Sequence, residues 1–270
     1  MSYATPYFSA FSGIGGFELA LSRHYPHLHC AGYSEIDTHA SKIYTHHFPG
    51  HRNYGDIRAI DVRALPAFDV LVGGFPCQAF SFEGHRNGFD DRRGALFFEL
   101  ARIAREKQPR IILLENVKGL LSHGAGRTCA AVISALDELG YDLQWQVLDS
   151  QNFGLPQRRE RIFIVGHLRG TRRPDVFPFR AATSKLPDQQ VPQSRRGRVR
   201  SIWSLRDSQS TRRAILDRHT IRRLTPTECE RLQGYPDGWT QGISIAQRYK
   251  CLGNAVTVPV VEALVQRIFT

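Results

Sequence analysis

The sequence predicts an α/β chain, a mainly parallel sheet flanked by helices, followed by a small region of irregular or β character. Three observations carry this. Over residues 7–166, short apolar runs alternate with stretches of helical periodicity, the pattern of βαβ units. At 270 residues and 41% apolar, the chain is long enough to bury a full core. Beyond Gly166 the texture changes: residues 167–220 are rich in Arg, Ser, Pro and Gln, with isolated apolar anchors such as Phe177, Phe179, Ile202, Trp203 and Leu205. That composition suits a small, loosely patterned domain or an extended arm. The expected division is a first domain of residues 1–166, completed by 253–270, and a smaller Arg-rich unit of 167–252.

Each element has a local reason. Residues 6–11 read as a strand that runs into Ser12-Gly13-Ile14-Gly15-Gly16 and then a helical Phe17-Glu18-Leu19-Ala20-Leu21. Residues 29–34 form a second strand ending at the acidic Glu35. Phe68-Asp69-Val70-Leu71-Val72 is a buried strand that leads into a Gly/Pro turn displaying Cys77. A helix over 96–107 precedes the strand Ile111-Ile112-Leu113-Leu114, which ends at Glu115. A second amphipathic helix over 128–139 is closed by Gly140. Residues 144–148 and 161–165 read as two more strands, antiparallel at one edge. Thr225-Pro226-Thr227-Glu228 combines an N-cap, a Pro at N1 and a capping-box acid, and opens a short helix through Leu232 that Gly234 and Pro236 stop. Residues 259–268 form a last helix with one apolar face.

Charge narrows the partners. Residues 169–223 hold 15 Lys and Arg against 4 Asp, and 14 of the 15 are Arg. With 36 basic and 25 acidic residues in the chain, the whole excess of +11 lies in that segment. A one-signed, Arg-rich segment points to a polyanion, since the guanidinium fork suits phosphates and guanine edges. The five cysteines, Cys30, Cys77, Cys129, Cys229 and Cys251, are scattered with no CxxC pair, which argues against a disulfide framework or a structural zinc and for a reducing cytoplasm. No metal site is expected. No hydrophobic stretch has membrane-spanning length, and residues 1–5 lack the features of a signal peptide.

Two places carry chemistry. Gly13-x-Gly15-Gly16, between a strand and a helix, lets a ligand approach the backbone, and Glu35 stands where an acid grips ribose hydroxyls. These residues alone serve NAD or S-adenosylmethionine equally well, so an oxidoreductase is a rival reading at this point. Cys77, in a turn at a strand end, is placed to act as a nucleophile. Glu115 ends an apolar strand at the same edge of the sheet. Arg159 and Arg161 share a face by the period-2 rule and could lower the thiol's pKa or hold a carbonyl or phosphate.

The spaced motifs resolve the ambiguity. Gly74-Phe75-Pro76-Cys77-Gln78-Ala79-Phe80-Ser81, Glu115-Asn116-Val117, Gln157-Arg158-Arg159-Glu160-Arg161 and Phe11-Ser12-Gly13-Ile14-Gly15-Gly16-Phe17 resemble, in order, motifs of the DNA (cytosine-5)-methyltransferases of bacterial or phage type. Glu35-Ile36, Gly55-Asp56-Ile57 and Gly253-Asn254-Ala255-Val256 are similar to further motifs of that family, as is the run from Arg223 to Pro236. The resemblance implies a Rossmann-like S-adenosylmethionine-dependent methyltransferase fold with a small, mostly irregular or β target-recognition domain. It implies Phe11 against the adenine, Glu35 on the ribose and Asp56 at the adenine amino group. Gly13, Ile14, Gly15, Gly16, Phe17, Ile36, Ile57, Pro76, Leu96, Asn254, Ala255 and Val256 complete the implied cofactor site.

Cytosine C5 is a poor nucleophile, so the chemistry implied is covalent: the Cys77 thiolate adds to C6, a protonated Glu115 supplies N3, and C5 becomes reactive. Arg159 and Arg161 assist. Gln78 and Ser81 contact the flipped nucleotide, and His85 and Arg86, in the loop Gly84-His85-Arg86-Asn87-Gly88, enter the DNA as the base is extruded. Arg195, Arg196, Arg198 and Arg200 are the expected DNA-reading cluster. The stretch between Gly166 and Ile221 is short for the family's recognition region. The expected partner is double-stranded DNA, met by a monomer in the prokaryotic cytoplasm or encoded by a phage, with any companion restriction endonuclease acting separately. The rivals are an RNA methyltransferase of the same mechanism and an idle DNA-binding relative.

Overall fold

The computed structural model describes residues 5–76, 96–179, 214–217 and 220–270. Its centre is a six-stranded sheet formed by β1 (Pro6–Ala10), β2 (His29–Ser34), β3 (Val70–Gly74), β4 (Ile111–Val117), β5 (Tyr141–Asp149) and β6 (Glu160–Leu168). The spatial order is β2-β1-β3-β4-β6-β5. The first four strands are parallel; β6 runs antiparallel to both β4 and β5. The two antiparallel strands expected near the edge are longer than the periodicity suggested, and the later one inserts between β4 and the earlier one. After β1 the chain moves to β2 on one side and then returns to β3 on the other. This reversal opens a crevice at the strands' carboxyl ends, where α/β sheets bind ligands.

Alternation along the strands divides two cores. Tyr7, Val70, Val72, Leu113, Phe163 and Val165 face one side, while Phe8, Ala10, Leu71, Ile112, Leu114, Ile162 and Ile164 face the other. Against the second face pack α3 (Leu96–Lys107) and α4 (Arg127–Glu138). Gly140 follows α4 at φ 92°, a left-handed turn that glycine adopts without a Cβ penalty.

Against the first face pack α1 (Gly16–His24), α2 (Thr38–His47) and α7 (Val258–Ile268). In α7, Val258, Val260, Val261, Leu264, Val265 and Ile268 are buried. Each such aliphatic contributes roughly 1.5–3 kcal/mol by leaving water. The remaining elements are the hairpin β7 (Ala214–Asp217) and β8 (Thr220–Arg223), then α5 (Pro226–Arg231) and α6 (Ile245–Asn254). The capping box at α5 forms as read: the Thr225 side chain accepts the Glu228 N–H, and Glu228 answers at the Thr225 N–H. Bonds from Arg222 first, and then from Thr225, pull the Glu228 carboxyl down to about 2.

The boundary expected at residues 252/253 does not match a break in packing. Leu224, Cys229, Leu232, Tyr235, Trp239, Cys251 and Leu252 lie in the same hydrophobic cluster as Ile14, Phe17 and α7. Trp239 stacks on His47 at 3.5 Å and donates its indole N–H to the Ile14 carbonyl at 2.9 Å. Residues 224–252 are therefore a buttress of the first domain. Their tight chemistry hid this in the sequence, because charged residues such as Glu230 are buried and satisfied: it accepts from the Gly238 and Thr240 N–H groups and from Arg248.

Candidate active site

A cavity of about 640 Å³ opens at the carboxyl ends of β1, β2, β3 and β4 and beside the start of β6. It is lined by residues that follow each of those strands. At one end stand Phe11, Gly13, Glu35, Ile36, Asp56 and Ile57; at the other stand Glu115, Arg159 and Arg161; Pro76, Leu96 and Asn254 lie along its wall.

The first end is built from turns. Phe11 takes φ 54° directly after β1, a conformation a bulky side chain seldom adopts, and turns the chain into the glycine loop. Glu35 is held on both oxygens: Oε2 accepts the Gly13 N–H at 2.8 Å and Oε1 the Asp37 N–H at 2.7 Å. The Glu35 carboxylate is thereby fixed to the loop that shapes its own pocket. Asp56 accepts from Arg58 through Nε at 3.0 Å and Nη2 at 2.6 Å, and these bonds hold its carboxyl below the usual range. A carboxylate pair that accepts from hydroxyl and amino groups, beside the apolar Phe11 and an Ile36 that is 66% exposed, fits an adenosine with its ribose and purine face. These residues therefore fit S-adenosylmethionine.

The second end is built from strands. Glu115 is 8% exposed on β4, and its register partner is Gly74. A Cβ on Gly74 would stand 3.3 Å from Glu115 Oε2, so glycine leaves the acid room there. Arg161 Nε lies 3.0 Å from Glu115 Oε1. Burial pushes the Glu115 carboxyl up, opposed by Arg161 and then Arg159. Arg159 lies on the same side as Arg161, but its Nη2 donates to the Gly253 and Ala255 carbonyls at 3.1 and 2.6 Å. It ties the end of α6 to the site while sending its charge toward Glu115.

Not every expected residue faces the cavity. Ile14 and Phe17 are buried in the core, Gly15 lies against Phe48, and Gly16 against Tyr235 and Val256, so these back the wall. A Cβ on Gly16 would come within 2.3 Å of the Tyr235 hydroxyl. Ala255 contributes a carbonyl to Arg159, and Val256 is buried behind Gly74. Cys77, Gln78, Ser81, His85, Arg86, Arg195, Arg196, Arg198 and Arg200 lie outside the described residues; Pro76, just ahead of Cys77, is in the wall.

Ser34, Arg58, Gly74, Phe75, Asn116, Val117 and Gly253 line the cavity without having been singled out as site residues. Asn116 had a signal, its place between Glu115 and Val117. Its Nδ2 donates to the Phe75 carbonyl at 2.8 Å and fixes the start of the segment that carries Cys77. Arg58 had none, since a charged residue two places after an acid is ordinary.

The sequence pattern of the family described as C-5 cytosine-specific DNA methylase matches residues 7–219 and 205–270. The Type II methyltransferase M.NgoBI of Neisseria gonorrhoeae is 37% identical over 292 residues, spanning 94% of this chain and 89% of the relative. The Type II methyltransferase M.HhaI of Haemophilus parahaemolyticus is 33% identical over 304 residues, spanning 96% and 92%. The Schizosaccharomyces (S.) pombe Dnmt2 methyltransferase structure has the same fold, with a TM-score of 0.70 at 21% identity over 97% of each chain. No helix among the described residues is long and apolar enough to cross a membrane. With motifs, cavity and relatives in agreement, the chain belongs to the C-5 cytosine-specific DNA methylase family, is a DNA cytosine-5 methyltransferase, and uses S-adenosylmethionine as its methyl donor.

Proposed function

We propose that Cys77, Glu115, Arg159 and Arg161 carry the reaction on a cytosine flipped out of double-stranded DNA. The observation that supports this most is a buried, upward-shifted Glu115 in one cavity with Phe11, Glu35 and Asp56. The Cys77 thiolate forms a bond to C6, and the displaced electron pair passes through the ring to N3. Glu115, kept protonated by burial, gives its proton there. C5 is then the nucleophilic end of an enamine. When bound, S-adenosylmethionine supplies an electrophilic methyl on a sulfonium leaving group. Loss of the C5 proton and cleavage of the S–C6 bond return the thiolate and restore the aromatic ring. Arg161, at 3.0 Å from Glu115, orients the carboxyl and sets its proton affinity.

Phe11, Glu35, Ile36 and Asp56 hold the adenosine in this reading, and the backing residues Ile14, Gly15, Gly16, Phe17 and Val256 keep the loop in shape. Gln78, Ser81, His85 and Arg86 serve the extruded nucleotide, and Arg195, Arg196, Arg198 and Arg200 the duplex; charge and motif support these roles. The enzyme acts as a monomer on cytoplasmic DNA, and a companion endonuclease, where one exists, acts separately.

DNA containing 5-fluorocytosine provides the test, because fluorine at C5 cannot leave as a proton does. In the presence of S-adenosylmethionine the wild type is expected to remain covalently attached under denaturing conditions, and Cys77→Ala to give neither adduct nor methylated product. Methyl transfer by Cys77→Ala at a measurable rate would overturn the mechanism. Transfer to RNA in preference to DNA would overturn the substrate.

A further inference from the structure

Asn53 carries no role in the motifs, yet its side chain uses every hydrogen-bonding position it has. Oδ1 accepts the Glu35 N–H at 3.2 Å and the Gly55 N–H at 2.8 Å. Nδ2 donates to the Glu35 carbonyl at 3.1 Å and to Ser41 Oγ at 3.3 Å. Two acceptor sites and two donors are the full capacity of an amide. One side chain thus bridges the turn that carries Glu35 and the turn that carries Asp56.

The backbone places it there. The Tyr33 N–H donates to the Arg52 carbonyl at 2.9 Å and the Tyr54 N–H to the Tyr33 carbonyl at 2.8 Å, with Asn53 bridged to Tyr33 in parallel. Residues 52–54 therefore lie along the open edge of β2 as a short extra strand. Gly32 permits the approach: a Cβ there would stand 2.4 Å from the Tyr54 ring. Glu35 and Asp56 each follow this contact by two residues, and both line the cavity.

We infer that Asn53 is a positioning residue for the cofactor, setting the separation and aim of the Glu35 and Asp56 carboxylates before the adenosine arrives. Preorganisation of this kind raises affinity by lowering the cost of ordering the site on binding. Ser34 Oγ, which donates to the Gly55 carbonyl at 2.7 Å, supports the same junction, so loss of Asn53 loosens the site without dismantling it. The inference rests on the cofactor reading of this cavity.

The test is S-adenosylhomocysteine binding measured by calorimetry, with kcat and KM for S-adenosylmethionine measured at saturating DNA. Asn53→Ala is expected to bind about ten-fold more weakly, equivalent to roughly 1.4 kcal/mol, with a matching rise in KM and a fall in kcat of less than two-fold. Asn53→Asp keeps both acceptor bonds and should recover part of the affinity. The melting temperature of each unliganded variant reports whether it folds. Weak binding by Asn53→Asp equal to that of Asn53→Ala, or wild-type affinity in a folded Asn53→Ala, would overturn the inference. Failure of the wild type itself to bind S-adenosylhomocysteine would instead overturn the cofactor reading.

Discussion

At the cofactor end of the cavity, Glu35 sits in a turn and accepts two backbone N–H groups, one from the glycine loop and one from the start of α2. At the base end, Glu115 sits on a strand, is buried, and meets one guanidinium. The same residue type is thereby given two functions. Glu35, already accepting from both sides, is an acceptor fixed in place. Glu115 is a group whose charged form is resisted by burial and whose proton can be given away. Neighbours assign the work, and the contrast can be tested by breaking each end separately.

The largest effect is expected at the base end. Glu115→Gln keeps the shape and can still donate a hydrogen bond, but it cannot transfer a proton. Turnover should fall by about 10² to 10⁴-fold, the usual contribution of a general acid. S-adenosylhomocysteine affinity, measured by calorimetry, should move less than about three-fold. An affinity loss as large as the rate loss would mean that the two ends are not separable.

A third glutamate sharpens the comparison, because it lies under the cofactor loop and contacts no ligand. Glu18 on α1 is fully buried; Tyr44 donates to its Oε1 at 3.0 Å, while Oε2 has no hydrogen-bond partner among the described residues. Burial pushes it from 4.5 up to about 7. The native state therefore holds a proton that the unfolded chain gives up. That stabilisation is complete below about pH 4.5 and is lost as pH rises through about 7, a change of roughly 3 kcal/mol. Urea unfolding at pH 5 and pH 8 should show Glu18→Gln gaining on the wild type by about that amount at the higher pH. An equal difference at both values would mean that Glu18 is not protonated on folding.

The smallest effect belongs to the cofactor end. Glu35→Ala removes hydrogen bonds that are alike in the ground and transition states, so binding should weaken by roughly 10 to 100-fold. Single-turnover rates at saturating S-adenosylmethionine should stay within about three-fold. A large loss of rate with unchanged affinity would place Glu35 at the wrong end of the site.

Much of this site could be read before the fold was known. Phe11, Glu35, Asp56 and Glu115 all follow apolar runs, and strands of a parallel sheet bring their carboxyl ends to one edge. The capping box at Thr225 and the glycine after α4 were equally legible, since both are contacts within a few residues. Other elements gave weaker signals. In α2 only Ala40, Ile43 and Tyr44 are buried, and three histidines obscure the pattern. Asn53 reaches residues 18 positions away, and Arg159 reaches Gly253 and Ala255, more than 90 positions on. Such bonds leave no periodic trace.

The sequence by itself determined the alternation of strand and helix, the order of the motifs, the concentration of positive charge in residues 169–223 and hence the chemistry of the reaction. Local spacing sets these, because period, caps and turn residues act over a few positions. Only the tertiary structure decided that residues 224–252 buttress the glycine loop through Trp239 and Ile14, that Ile14, Gly16 and Phe17 back the cavity wall, and that Asn53 joins its two acidic turns. Those outcomes depend on which surfaces meet when the sheet's two faces are covered, and burial and hydrogen-bond satisfaction are properties of the assembled core.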